Sequence, residues 1–224
     1  MKLKRPEAVL FDLDGTLIDT APEFISIALQ LRKQVGLPPI PPQLIQENIS
    51  DGVLTIIKTA LEIHPDDPKS DGWVQKFLTA YCDKLGSKSK PYPGIEELIR
   101  DLFSNGILWG VVTNKREIFA RPLLEKMSFK PPANVLVTPD HVQRPKPDPE
   151  PVLLACELLK CSPSKVVLVG DNCRDIISAK RAGCMTISAG YGYIKQGEST
   201  KEWLADIDVQ SSNQLASIII ETLS

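Results

Sequence analysis

"VLFDLDGTLID" spans Val9 to Asp19, and its reading decides the fold. A short apolar run feeds straight into Asp12 and Asp14, and Gly15 and Thr16 follow. On an extended chain, residues i and i+2 project to the same side. Two carboxylates held together repel unless a cation or a proton sits between them. The run therefore reads as a buried strand whose far end must hold something positive.

Other runs share its character. "AVLF" (8–11), "ILWGVV" (107–112), "NVLVT" (134–138), "VVLVG" (166–170) and "MTISAG" (185–190) are rich in β-branched residues and do not alternate with polar ones. Parallel strands covered on both faces read this way. Helical patterns separate them. "PGIEELIRDLFSNG" (93–106) closes on an Asn-Gly stop, and "CRDIISAKRAG" (173–183) ends at Gly183. "PEPVLLACELLK" (149–160) is a third, while "REIFARPLLEKM" (116–127) contains Pro122, which should kink or split it. Strands alternating with helices predict an α/β fold, a doubly wound parallel-sheet (Rossmann-like) core.

Residues 20–90 break the alternation. "TAPEFISIALQLRKQVG" opens with a capping box, Thr20 and Glu23, and "DGVLTIIKTALEI" (51–63) carries a second apolar stripe. A third helix is expected near 70–85. The domain reading is a small inserted α-helical cap over 19–90, with 1–18 and 91–224 forming the α/β catalytic core. The proline-rich "GLPPIPP" (36–42) is a stiff loop inside the insertion.

Composition narrows the function. The chain has 224 residues, 42% of them hydrophobic, and 26 Lys plus Arg against 28 Asp plus Glu for a net charge of −2. That balance argues against a nucleic-acid partner held by bulk positive charge. No stretch approaches the ~18 apolar residues of a membrane span, and the basic start "MKLKRPEAVLF" meets acids too soon for a signal segment. The five cysteines, 82, 156, 161, 173 and 184, form no CxxC pair, as expected of reduced thiols in the cytoplasm. No membrane partner is expected, and the chain should be a monomer or homodimer.

The strand ends carry the chemistry. The first run ends in Asp12, the second in Thr113-Asn114, and the fourth in Gly170-Asp171. In an open parallel sheet, ligands bind at the carboxyl ends of the strands. Asp175 follows Asp171 by one helical turn. A single strand-end Asp is commonly a turn former or helix cap. Several converging carboxylates instead need a hard cation, and all-oxygen donors suit Mg2+, a usual partner of phosphate. Lys146, in "QRPKPDPEP" (143–151), is stiffened by prolines and offers the positive charge that an incoming phosphate requires.

These residues carry a resemblance. "DLDGTL" (12–17), "VVTN" (111–114), "KPDP" (146–149) and "GDNCRD" (170–175) resemble, in order and spacing, the four motifs of the haloacid dehalogenase superfamily. "TNK" (113–115) and "YGYI" (191–194) are similar to its phosphoglycolate phosphatase group. The wording "LPPIP" and "ISDG" (37–52), with "WGVVTNK" (109–115), looks closer still to bacterial N-acetylmuramic acid 6-phosphate phosphatases. The resemblance implies a Mg2+-dependent phosphomonoester hydrolase acting on a small-molecule phosphate ester through an aspartyl-phosphate. The substrate would be 2-phosphoglycolate or N-acetylmuramic acid 6-phosphate.

It also implies roles. Asp12 is the nucleophile. Asp14 is the general acid and then the general base. The Asp12 carboxylate, the Asp14 backbone carbonyl and Asp171 are metal ligands. Thr113, the Asn114 N–H and Lys146 bind phosphate. Gly15 allows close approach, and Asp175 supports the ligands. The family often has a basic residue directly before the motif Lys; here Pro145 intervenes and Arg144 sits one place earlier. From the insertion, Ser50, Asp51 and Gly52 are the candidate substrate residues, although Ser50 or Asp51 alone would also read as a helix cap.

Asp14 separates the alternatives. Dehalogenating and phosphonate-cleaving relatives lack a carboxylate at that place, so its presence argues for an oxygen leaving group. A sugar-phosphate mutase of the same superfamily would keep Asp14. A phospho-acceptor signalling module also combines Asp, Mg2+, Thr and Lys on a parallel sheet, but has no use for the insertion. His64, His141, Trp73, Trp109, Trp203 and Cys173 read as caps, surface residues or packing.

Overall fold

The computed structural model describes residues 4–64 and 67–222. Met1 to Leu3 of the basic start, Pro65 and the last residues of the expected core lie outside them. The chain runs β1 (Ala8–Phe11), β2 (Ile18–Asp19), α1 (Ala21–Gln34), α2 (Pro42–Gln46), α3 (Val53–Leu61), α4 (Ser70–Lys84) and β3 (Lys90–Pro91). It continues through α5 (Ile95–Ser104), β4 (Leu108–Val112), α6 (Glu117–Met127), β5 (Val135–Val137), α7 (Glu150–Leu159) and β6 (Val166–Gly170). The last elements are α8 (Cys173–Ala182), β7 (Met185–Ala189), β8 (Ile207–Val209) and α9 (Ser212–Ile220).

Six strands form one parallel sheet in the order β5-β4-β1-β6-β7-β8. This is the expected α/β fold. β1 is central: Phe11 pairs with Val111 of β4 on one side and Val169 of β6 on the other. The sheet order reverses at β1, so a crevice opens at its carboxyl end. Side chains of β1 alternate between two cores, as a pleated strand requires. Val9 and Phe11 face α5 and α9, while Ala8 and Leu10 face α7 and α8. All four are fully buried, which explains the unbroken apolar run.

β8 and α9 were not legible in the sequence. β8, "IDV", is short and lies at the sheet edge, and α9 follows it. Pro122 neither splits nor ends its helix: α6 runs through it from Glu117 to Met127. Pro122 lies in its second turn, where the lost donor and the ring clash touch only the start of the helix.

α1, α3 and α4 pack on one another between β2 and β3. The chain leaves and re-enters through the antiparallel β2–β3 pair, with Ile18 opposite Pro91 and Asp19 opposite Lys90. The predicted capping box of α1 does not form. Thr20 Oγ1 donates instead to Asp14 Oδ1 at 2.6 Å. Glu23 is buried and clamps the returning strand, accepting from Lys88 N and Ser89 N at 2.7 Å each and from Ser89 Oγ at 2.9 Å. Three donors on one carboxylate offset its desolvation, so a residue that reads locally as a helix cap is a long-range tie.

Candidate active site

Adjacent strands bring the site together. Beyond the end of β1, Asp12 N still donates to Val169 O at 2.9 Å, and beyond β4, Thr113 N donates to Val137 O at 3.0 Å. β6 hands directly over to Asp171. Asp12, Thr113 and Asp171 thus stand side by side at one sheet edge.

Lys146 enters from the loop before α7 and is buried beneath them. Its Nζ lies 2.9 Å from Asp12 Oδ1 and 2.7 Å from Asp175 Oδ1, and donates to Val112 O at 2.7 Å. Burial pulls its pKa down, but Asp12 and Asp175 outweigh that and hold it above the usual lysine value. The Asn114 side chain pins the Lys146 backbone from both sides, donating to its carbonyl at 2.9 Å and accepting from its N–H at 3.1 Å. This amide clamp on Lys146 was not foreseen. Arg144 points away, with 72% of its side chain exposed beside Asp148 and Glu150.

Asp171 is buried and doubly anchored. Thr16 Oγ1 donates to its Oδ1 at 2.9 Å and Tyr193 N to its Oδ2 at 2.9 Å. Burial, then the charges of Asp12 and Asp175, lifts its pKa well above the carboxylate range. Burial also pushes Asp175 up to about 6, against the pull of Lys146. Asp12, Asp171 and Asp175 each offer an oxygen within 4.8 Å of the others. The Asp12 and Asp175 oxygens that face Lys146 meet it as ion pairs without an aligned hydrogen bond, so they keep lone pairs for a ligand. Three crowded carboxylate oxygens fit a small hard divalent cation and are electrostatically costly without one. Asp175 joins this cluster directly.

The two carboxylates of "DLD" part company. Asp12 faces Lys146 and the acidic cluster. The Asp14 carboxyl turns to Thr20 Oγ1 and to Lys115 Nζ, which is 3.1 Å from both of its oxygens. The sequence reading of one cation relieving both side chains is corrected here: a short turn after Asp12 aims Asp14 at a lysine of its own. Lys115 is buried, with Nζ 4.6 Å from the Tyr81 ring centroid and 5.0 Å from that of Phe24. Burial lowers its pKa, yet Asp14 and then Tyr81 raise it overall.

Glycine is required three residues after Asp12. Gly15 has φ +79, and a Cβ there would lie 2.1 Å from Asp171 Oδ2. "YGYI" closes the same region. Besides Tyr193 N on Asp171, the Tyr193 hydroxyl accepts from Thr20 N at 2.7 Å and Ala21 N at 2.8 Å, and donates to Asp19 Oδ1 at 3.0 Å. One tyrosine therefore ties the acidic cluster to the start of the insertion. Its motif was visible in the sequence, but its contacts span more than 170 residues and no local pattern reveals them.

Above the carboxylates lies a cavity of about 590 Å3, floored by Asp12, Asp14, Thr113, Asn114 and Lys146. From the insertion, Ser50, Gly52, Val53, Leu54 and Leu78 line it. Asp51 does not line it: its oxygens reach Arg174 Nη2 at 3.0 Å and Lys195 Nζ at 2.5 Å. Neither Ser50 nor Asp51 caps α3 with its side chain; Gly52, with φ 90, occupies that position. Such an arrangement can hold a phosphoryl group between a carboxylate nucleophile and a buried ammonium, with a second carboxyl beside the leaving group.

Comparison with known proteins agrees with this geometry. Residues 9–189 match the haloacid dehalogenase-like hydrolase family. The N-acetylmuramic acid 6-phosphate phosphatase of Pseudomonas aeruginosa is 42% identical over 100% of this chain and 99% of its own. A phosphoglycolate phosphatase of Chromobacterium violaceum is 34% identical over 86% of this chain and 89% of its own. A solved structure from Haemophilus somnus, named a predicted phosphoglycolate phosphatase, superposes with a TM-score of 0.84 at 24% identity, covering 96% of this chain and 99% of that one. At that identity the likeness speaks for the fold. Among the described residues, no helix is long and apolar enough to cross a membrane.

Proposed function

The chain belongs to the haloacid dehalogenase-like hydrolases and is a phosphatase, and on that premise we propose that it is a Mg2+-dependent N-acetylmuramic acid 6-phosphate phosphatase of the cytoplasm. The cavity carries this reading. Pockets for ligands larger than a few atoms run roughly 300–1,000 Å3. At about 590 Å3, with Val53, Leu54 and Leu78 in its wall, this one suits a phosphorylated amino sugar better than a two-carbon acid. The 42% identity over the whole chain supports the same choice.

In this reading Asp12 attacks phosphorus, and Lys146, Thr113 and the Asn114 N–H hold the phosphoryl oxygens as charge shifts onto them. Asp14 protonates the leaving sugar alkoxide and then takes the proton of the attacking water. Thr20 and Lys115 hold its carboxyl in reach. Asp12, Asp171 and the Asp14 carbonyl would hold Mg2+, with Asp175 in support, and the ion would neutralise charge on the phosphoryl group. Residues 19–90 act as the cap, excluding water while Asp12 attacks, and 1–18 with 91–224 as the catalytic core.

The test is a panel of phosphorylated metabolites ranked by kcat/KM, with N-acetylmuramic acid 6-phosphate, 2-phosphoglycolate and a generic aryl phosphate included. The amino-sugar phosphate is expected to lead. A higher kcat/KM for 2-phosphoglycolate would overturn the substrate, and a phosphorylated sugar isomer in place of inorganic phosphate would overturn the hydrolase in favour of a mutase.

A further inference from the structure

Both substrates considered above carry a carboxylate as well as a phosphate, so the site needs a second cation that is free to meet it. Among the described residues, the charged side chains in the cavity wall include Lys146, Lys115, Arg116 and Arg174. Lys146 is engaged by Asp12, Asp175 and Val112 O. Lys115 is engaged by both Asp14 oxygens and two aromatic rings. Arg116 stands 72% exposed at the rim, 3.6 Å from Asp140.

Arg174 differs. Its Nε donates to Asn172 Oδ1 at 2.9 Å and its Nη2 to Asp51 Oδ1 at 3.0 Å. Nη1 has no hydrogen-bond partner among the described residues, although a guanidinium offers five donors. The side chain is 25% exposed, so it is sheltered yet reachable from the cavity. Asn172, the N-cap of α8, fixes one edge of the planar group, and Asp51 fixes another. Lys195 Nζ, 2.5 Å from the second Asp51 oxygen, shares that carboxylate with Arg174. A guanidinium held on two sides with donors to spare is pre-organised for a bidentate carboxylate.

Arg174 meets the insertion through Asp51 and lines the same cavity as Asp12 and Lys146. In N-acetylmuramic acid 6-phosphate the lactyl carboxylate is carried across the sugar ring from the phosphate, whereas in 2-phosphoglycolate it is one carbon from the ester oxygen. We propose that Arg174 is the specificity-determining residue that reads the substrate's lactyl carboxylate, held in place for it by Asn172 and Asp51. The assignment rests on the substrate named above.

The experiment compares kcat/KM for N-acetylmuramic acid 6-phosphate with that for N-acetylglucosamine 6-phosphate, which is the same sugar phosphate without the lactyl group. The wild type is expected to favour the lactyl substrate, and Arg174→Gln to lower the ratio about 10–100-fold, the range of a charge-assisted pair, chiefly through KM. Arg174→Lys, which keeps the charge and loses the fork, should fall between; it also serves if the Gln variant does not fold. A ratio left at its wild-type value in both variants, or in Arg174→Lys alone where Arg174→Gln does not fold, would overturn the role of Arg174 and leave the substrate standing. A wild type with no preference for the lactyl substrate would overturn both.

Discussion

The sheet edge and the helical insertion use polar groups in opposite ways. At the edge, the charged groups are buried or half-buried and tied: Asp171 by two donors, Lys146 by two carboxylates and a carbonyl, Asp14 by Thr20 and Lys115. The insertion presents to the cavity mainly apolar side chains such as Val53, Leu54 and Leu78, and its Asp51 turns to two cations of the core. Bond-making needs charges held still, because their reorganisation would cost the transition state. Selection needs shape, and an apolar wall can be reshaped without disturbing the chemistry. The contrast predicts large losses, chiefly in kcat, at the edge and modest ones, chiefly in KM, in the insertion.

The strongest way to break this is Asp12→Asn. Loss of the proposed nucleophile should lower kcat by about 10^4-fold or more, with circular dichroism and melting temperature close to wild type. Substantial residual turnover would move the nucleophile elsewhere. Removal of divalent metal by EDTA should bring activity to a similar floor, and Mg2+ should restore it. Because burial holds Asp175 near 6 and lifts Asp171 well above the usual carboxylate range, protons compete with the metal. Mg2+ affinity should therefore rise with pH through about 6 and above; titration calorimetry at several pH values reads this, and a flat profile would contradict it.

Asp14→Asn should be milder and should depend on the leaving group. A loss of about 10^2–10^4-fold is expected on a sugar phosphate, whose alkoxide needs a proton. A nitrophenyl phosphate, whose phenolate leaves unaided, should lose much less. Equal losses on both would show that Asp14 acts through the fold. In the insertion, Leu54→Ala should raise KM for the amino-sugar phosphate by about 3–10-fold, the worth of some buried apolar surface. An effect chiefly on kcat would erase the distinction between edge and insertion.

The smallest catalytic effect is expected at Glu23, which clamps the end of the insertion where the chain returns to the core. Glu23→Gln should destabilise the chain by about 1–3 kcal/mol, measured by urea unfolding. A stability equal to wild type would mean that the clamp on Lys88 and Ser89 contributes nothing.

Much of the site was legible because its residues fall at strand ends, and strand ends are marked by where apolar runs stop. Asp12, Thr113 and Asp171 follow from that rule alone. Lys146 stood out through its flanking prolines. Lys115 and Thr20 gave no such signal: one follows a motif, and the other reads as a helix cap. Their partnership with Asp14 depends on a turn that no periodicity encodes. Ser50 and Gly52 do reach the cavity, whereas Asp51, between them, turns to two cations of the core.

By itself the sequence determined the alternating α/β core, the carboxyl ends of its strands as the functional edge and the acids that occupy it, since hydrophobic periodicity and strand termination are local properties of the chain. Only the tertiary structure decided how those acids divide. It sent Asp14 to Lys115, drew Asp175 into the cluster with Asp12 and Asp171, and set Arg174 between Asn172 and Asp51 with donors unspent. The reason is physical: a side chain's charge partner is chosen by distance through space and by shared burial, and neither is written in the spacing of residues along the chain.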